Sequence, residues 1–273
     1  MQCLVFVRAR VAPLLFCVAA AAASVVACDA PKDDWDDETT DDALVGGTHD
    51  LRWSASGYLV RDGEARSDKP ACGATLIAPN VAVTAGHCVL DEKVAYAFGT
   101  GDLGSGALVH VRERHIHPQF DKADSLRRYD VAVLVLEHDV AGVHPAELPA
   151  EKPAVGCNIQ TIGYHADAPG KPSLRRTAPA CTLFRVTLGQ DPIFEVHPRG
   201  KAGLCVADGD EGSAVVSAEE TREVLVGVYV GSVTQGITDC RGGWQYLDGY
   251  ESAFGYRDFL VSEIERAKQA GSR

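Results

Sequence analysis

The sequence has no run of lysine or arginine, and its formal net charge of −12 is the wrong sign for neutralising phosphates. No nucleic-acid partner is expected. A membrane-crossing helix needs about 20 apolar residues, whereas the Ala-rich stretch from Val11 to Val26 covers only 16. There is no Cys-x-x-Cys and no histidine-rich spacing, so no zinc site is written and neither a metal nor another cofactor is expected. Internal repeats are absent. Helical periodicity is missing everywhere except near the C-terminus, which leaves a β-rich chain.

The short apolar stretch has its own meaning. Arg8 and Arg10 precede it and Val25-Val26-Ala27-Cys28 closes it, the layout of an export signal. Val-Val-Ala-Cys resembles a bacterial lipobox, in which the cysteine becomes a lipidated first residue. Residues 1–28 are therefore expected to be a signal and Cys28 the lipid anchor. Residues 29–43, DAPKDDWDDETTDDA, hold seven Asp and one Glu against a single Lys. Like charges and scarce apolar side chains cannot offset the entropy of ordering, so this segment is expected to be a solvated, disordered tether. Much of the negative charge sits there, and residues 44–273 form an only mildly acidic domain.

Six further cysteines, Cys72, Cys88, Cys157, Cys181, Cys205 and Cys240, suit an exported protein with three disulfides, although six cysteines allow 15 pairings. From residue 44 onward, short apolar runs such as Gly57–Val60, Ala74–Ile77, Val81–Val83, Val131–Leu136 and Val224–Val230 alternate with Gly, Pro, Asn and Asp. Many short strands at close spacing indicate an all-β barrel or sandwich. Tyr256, Phe259, Leu260 and Ile264 form one apolar stripe at helical spacing, predicting a C-terminal helix over about 255–270 that docks on the strands.

Three motifs narrow this further. Cys72-Gly-Ala-Thr-Leu-Ile-Ala-Pro-Asn-Val-Ala-Val-Thr-Ala-Gly-His-Cys88 is similar to the His-bearing segment of the chymotrypsin-like serine proteases. Tyr129-Asp-Val-Ala-Val-Leu-Val-Leu136, preceded by His117-Pro-Gln-Phe120, resembles their Asp-bearing strand, and Gly209-Asp-Glu-Gly-Ser-Ala-Val215 resembles their nucleophile loop. The motifs occur in the family's order, and the resemblance covers about residues 44–260. It implies two antiparallel six-stranded Greek-key barrels, over about 44–145 and 146–255, meeting at a cleft. It also implies His87 as general base, Asp130 as the acid that orients it, and the amides of Gly209 and Glu211 as an oxyanion hole. The pairs Cys72–Cys88 and Cys205–Cys240 follow from the same likeness, leaving Cys157–Cys181. Leu44-Val-Gly-Gly47 resembles the family's terminus that pairs, once freed, with the acid before the nucleophile, here Asp210. Ala43 precedes it rather than Arg or Lys, so no trypsin-like activation site is written. Gly203 is placed at the floor of a specificity pocket whose preference stays open, as does the role of Asp208.

The departure is at the nucleophile, where Glu211 stands in place of serine. A carboxylate has no proton for a base to abstract, and would leave an amide carbonyl as readily as it added. Its side chain could lie against His87 or fill the space before the Gly209 and Glu211 amides. Shifting the motif to make Ser213 the nucleophile loses both the oxyanion glycine and the acid before it. A metal between His87 and Glu211 has too few ligands. The expected function is a catalytically inactive protease homologue, monomeric and extracytoplasmic, that binds a polypeptide and is tied to a membrane by Cys28. The alternative is an active secreted endopeptidase. If Cys28 carries the anchor, the full chain partitions into detergent on phase separation and Cys28→Ala moves it to the aqueous phase. Aqueous partitioning of both forms counts against the anchor.

Overall fold

The structure is a computed structural model that describes residues 47–62, 70–124, 128–165, 173–188, 191–198, 209–217, 222–232 and 248–271. The chain divides between Thr40 and Asp41, and every described residue lies in the second unit. The signal, Cys28, the tether, Leu44, Gly203, Asp208 and the Cys205–Cys240 pair all lie outside the described residues.

Strand β7, Ala132–Leu136, explains the architecture most directly. Its five residues are all apolar and fully buried. A sheet covered on one side would show alternation; a continuous apolar run needs cover on both faces. One face looks into a closed barrel and the other meets helix α1, Arg257–Gly271, which packs against β7 and against β4, Val81–Thr84. The barrel is completed by β2 (Ser56–Arg61), β3 (Cys72–Ala78), β5 (Tyr96–Thr100) and β6 (Val109–Ile116), in the order β2-β3-β4-β7-β6-β5, with every pair antiparallel. The helix stripe is seated as its periodicity implies: Tyr256 and Leu260 are buried in the core, with Phe259 and Ile264 packed at its edge.

The remaining strands are β8 (Gly156–His165), β9 (Leu174–Leu188), β10 (Asp191–Pro198), β11 (Ala214–Ser217), β12 (Leu225–Ser232) and β13 (Asp248–Ser252). Their antiparallel pairings close a second ring, β8-β9-β10-β13-β12-β11 and back to β8. Disulfide Cys157–Cys181 crosses from β8 to β9. On β11 the side chains divide between two clusters: Val215 joins Ile159, Val226 and Tyr250, whereas Ala214 and Val216 join the larger core that includes Leu134 and Leu260. This is the period-two alternation of a strand with apolar matter on both sides.

Two expectations change. Strand β1, Thr48–His49, precedes the first barrel in the chain yet pairs with β9 of the second, so the division at about residue 145 does not separate the strands cleanly. Strands β10 and β13 are not among the apolar runs, because Pro192 and Pro198 bracket one and Asp-Gly-Tyr-Glu-Ser makes up the other.

The segment between β1 and β2 is tied to the second barrel by polar groups. Arg175 of β9 is buried, donating from Nη1 to the Ser56 carbonyl at 2.9 Å and from Nε to that of Asp50 at 3.0 Å. Glu223 accepts the Ala55 amide at 2.9 Å and the Ser56 hydroxyl at 2.6 Å. Burial outweighs these hydrogen bonds and holds the Glu223 carboxyl above its ordinary value of 4.5. A raised carboxylate pKa means the folded protein binds the proton more tightly. The stability it contributes is full below about 4.5 and is lost as pH climbs through the folded value. Glu223→Gln removes this titration, so in urea unfolding the wild-type protein should lose stability relative to the variant as pH rises from 4 to 8. A constant difference would show that the carboxyl does not titrate in that window.

Candidate functional site

The hairpin of β3 and β4 leads through Ala85 into a single 3-10 turn, Gly86–Val89, which carries His87. Disulfide Cys72–Cys88 ties that turn back to the start of β3. The imidazole is therefore mounted on a hairpin and clamped at its far side. A side-chain methyl on Gly86 would stand 3.2 Å from Asp130 Oδ1, so the turn approaches the acid closely.

Asp130 lies two residues before β7 and is wholly buried. Oδ1 accepts the His87 backbone amide at 2.7 Å, and Oδ2 lies 2.6 Å from His87 Nδ1. A buried carboxylate needs such donors to offset its lost hydration. The pairing places the ring proton on Nδ1 and turns Nε2 to the cleft, where it faces the Cys88 sulfur at 3.9 Å. The preceding residue, Tyr129, has φ 61, the left-handed region, and Val131 donates back to its carbonyl at 2.8 Å. Its ring stacks on His117 at 5.0 Å, and His117 also meets the rings of Tyr256 and Phe259. Helix α1 thereby braces the turn that delivers Asp130. Burial lowers the His117 pKa, which keeps this ring an apolar packing piece.

Glu251 on β13 is a third carboxylate here that sequence reasoning missed. It is buried, and Oε1 accepts the Asp130 amide at 3.1 Å across 121 residues of sequence. The available signal was an acid inside a short segment flanked by Gly249, Tyr250 and Ser252; nothing local marked that segment as a strand.

The loop Gly209–Ser213 faces this pair. Gly209 and Gly212 adopt φ +100 and +86, values that favour glycine. The Gly73 amide donates to the Glu211 carbonyl at 2.7 Å, and Thr84 Oγ1 to the Gly73 carbonyl at 2.7 Å. A methyl on Gly212 would lie 2.3 Å from the Gly73 carbonyl, and one on Gly73 would lie 2.1 Å from Ser213 Oγ. The loop and β3 are thus in backbone contact. Asp210 is buried and accepts the Tyr164 amide at 2.5 Å.

Of the two positions open to Glu211, the side chain takes the amide. Oε2 accepts the Gly209 N–H at 3.0 Å, and no ion pair joins the carboxylate to His87 among the described residues. The Gly209 amide is one of the two that the resemblance implies as oxyanion donors, and here it is bonded to the protein's own carboxylate. Ser213 is 2% exposed, with its hydroxyl turned toward Gly73. Cys72, His87 and Cys88 come close enough together to hold a metal ion, but the two sulfurs are bonded to each other and offer no thiolate.

With this geometry in place, comparison with known proteins gives two findings. Residues 46–253 match the family described as Trypsin. A stretch of 140 residues is 32% identical to venom serine protease 34 of Apis mellifera, covering 44% of this chain and 34% of that protein, so the match spans about a third of the relative's length.

Gly73→Ala forces its methyl against the Ser213 backbone, with N and Cα at 2.5 and 2.6 Å. Overpacking of this kind costs about 1–3 kcal/mol, readable as a lowered urea midpoint. Because the clash is with main chain, Ser213→Gly in the same protein should not restore it. Full restoration would place the contact on the Ser213 hydroxyl alone.

Proposed function

We propose that this chain, which belongs to the trypsin family of serine proteases, has lost peptide-bond hydrolysis and retains its cleft to bind a polypeptide. The observation that carries this reading is the hydrogen bond from Gly209 N–H to Glu211 Oε2 at 3.0 Å. It joins two losses in one side chain. The hydroxyl that would attack is gone, and the amide that would stabilise the oxyanion is occupied by a charge of the sign it was built to receive.

The magnitudes support loss rather than modest impairment. Removing the nucleophile from a comparable triad costs about 10⁶ in turnover, and filling one oxyanion donor costs a further factor on the order of 10² to 10³. The His87–Asp130 pair remains assembled at 2.6 Å, but a base without a proton to take has no part in an acyl transfer. An active peptidase would need another nucleophile. Ser213 is buried under Gly73 and supplies none. The two disulfides, Cys72–Cys88 and Cys157–Cys181, suit an oxidising compartment, and the extracytoplasmic, Cys28-anchored location belongs to this proposal.

The full chain should neither hydrolyse casein nor be labelled by a fluorophosphonate probe. Labelling that Ser213→Ala abolishes would overturn the assignment of the nucleophile position. Glu211→Ser returns a hydroxyl and vacates the Gly209 amide together; fluorophosphonate labelling of that variant, against none in wild type, is the expected contrast.

A further inference from the structure

Cys72, His87 and Cys88 each bring a ligand atom within 4.8 Å of the other two. Two sulfurs and an imidazole that converge in this way are a donor set for a borderline-soft cation, once the sulfurs are thiolates. A tetrahedral zinc ion, with bonds of about 2.3 Å to sulfur and about 2.0 Å to nitrogen, sets a sulfur-to-nitrogen edge of about 3.6 Å. Cys88 Sγ already stands 3.9 Å from His87 Nε2. The other ring nitrogen, Nδ1, is 2.6 Å from Asp130 Oδ2. An ion on Nε2 therefore meets an imidazole oriented from behind by a carboxylate, the support that metal-ligating histidines ordinarily have.

The two sulfurs are bonded to each other, so the donor set exists only after that bond is opened. Both ends are held by contacts that the disulfide does not supply. Cys72 stands in register with Leu59 in the ladder of β2 and β3. The Cys88 amide donates to the Ala85 carbonyl at 3.2 Å, and the His87 amide to Asp130 Oδ1 at 2.7 Å. With the Cα atoms 6.2 Å apart, rotation about the Cα–Cβ bonds parts the sulfurs toward the roughly 3.8 Å of two thiolates on one tetrahedral ion. Cys72 is buried, whereas His87 and Cys88 are partly exposed. Reductant and ion alike reach the group from the side of Cys88.

We propose that reduction of Cys72–Cys88 turns this clamp into a metal site, in which Cys72 Sγ, Cys88 Sγ and His87 Nε2 hold a thiophilic divalent cation of the zinc class. The reductant is a dithiol. Its first thiolate attacks Cys88 Sγ, forming a mixed disulfide and expelling Cys72 as a thiolate; its second sulfur then closes on the first, releasing Cys88 as a thiolate and departing as a cyclic disulfide. Two electrons pass from the dithiol to the protein, and the dithiol's two protons go to solvent as the thiolates take the ion. Among the described residues no fourth His, Cys, Asp or Glu joins the group, which leaves the remaining tetrahedral position to water. The site stands whether or not the cleft binds a polypeptide.

The test reduces the full chain with dithiothreitol, removes the reagent by anaerobic gel filtration, and titrates cobalt(II) as a spectroscopic stand-in for zinc. The reduced chain should take up cobalt with the sulfur-to-cobalt charge-transfer band and visible bands of a tetrahedral centre, and zinc should discharge them; the oxidised chain should show neither. Cys72→Ser and Cys88→Ser should each abolish the charge-transfer band, and His87→Ala should weaken cobalt binding at least tenfold. A variant carrying Cys157→Ser, Cys181→Ser, Cys205→Ser and Cys240→Ser should keep the band. No band in the reduced wild type, or a band undiminished by Cys72→Ser and Cys88→Ser, would overturn the site, the latter by placing the ion on other cysteines. Unchanged affinity in His87→Ala would overturn the imidazole as a ligand. Near-ultraviolet circular dichroism of the reduced chain follows the fold directly: with zinc added it should match that of the oxidised protein, and a signal that is lost on reduction and not returned by zinc would likewise overturn the proposal.

Discussion

The contact between Gly73 and the loop Gly209–Ser213 is the constraint on which the site depends. The Gly73 amide is bonded to the Glu211 carbonyl, and the Gly73 carbonyl lies where any side chain on Gly212 would have to go. A strand of one barrel and a loop of the other are brought to main-chain contact there. Through Thr84 the same glycine is bonded to the end of β4, from which the His87 turn departs. One point of close approach therefore fixes the distance between the imidazole on the first barrel and the loop on the second. Each barrel can form its own hydrogen-bond ring, and this seam sets the imidazole turn of one against the loop of the other.

Around the seam, charge is arranged in an order that burial dictates. Asp130 is fully buried and tolerable because the His87 amide and ring both donate to it, while its own amide donates onward to Glu251. Glu211, at the cleft, needs less support and finds it in the Gly209 amide. The His87–Asp130 pair and the Gly209 amide thus stand assembled beside a carboxylate. On the proposed reading, a site built to stabilise a negative charge that appears transiently instead holds one continuously. Preorganised donors bind a resident anion as readily as a transient one, so a glutamate at this position is compatible with the fold.

Much of the frame was legible in the amino-acid order, for a definite reason. His87, Asp130 and the Gly209–Ser213 loop each sit in a contiguous segment whose glycines, cysteines and apolar residues are required by the local backbone, and a local requirement leaves a local signature. The apolar run of β7 and the stripe on α1 were readable on the same grounds. Strands β10 and β13 were not, because proline, glycine and acidic residues suppress the apolar pattern that marks a strand; what identifies them is their pairing with each other across the chain. β1 was assigned with the first barrel because chain order placed it there; pairing with β9 is a fact of tertiary contact.

The sequence by itself determined which side chains are available: an imidazole at His87, a carboxylate at Asp130 and a second carboxylate at Glu211. That was enough to leave position 211 without a hydroxyl, since no folding can give a glutamate a serine's oxygen. Only the tertiary structure decided where the carboxylate points. Glu211 reaches either His87 or the Gly209 amide with a rotation of its own bonds, and no residue beside it in sequence chooses between them. The choice follows from the positive φ of Gly209, which turns its amide inward, and from the Asp130 carboxylate, which already satisfies the imidazole from the other side. Glu251 illustrates the same division, for its meaning comes entirely from an amide 121 residues away. Residue identity is local, but the partner of a polar group is set by packing, and in this cleft the partners decide what the residues can do.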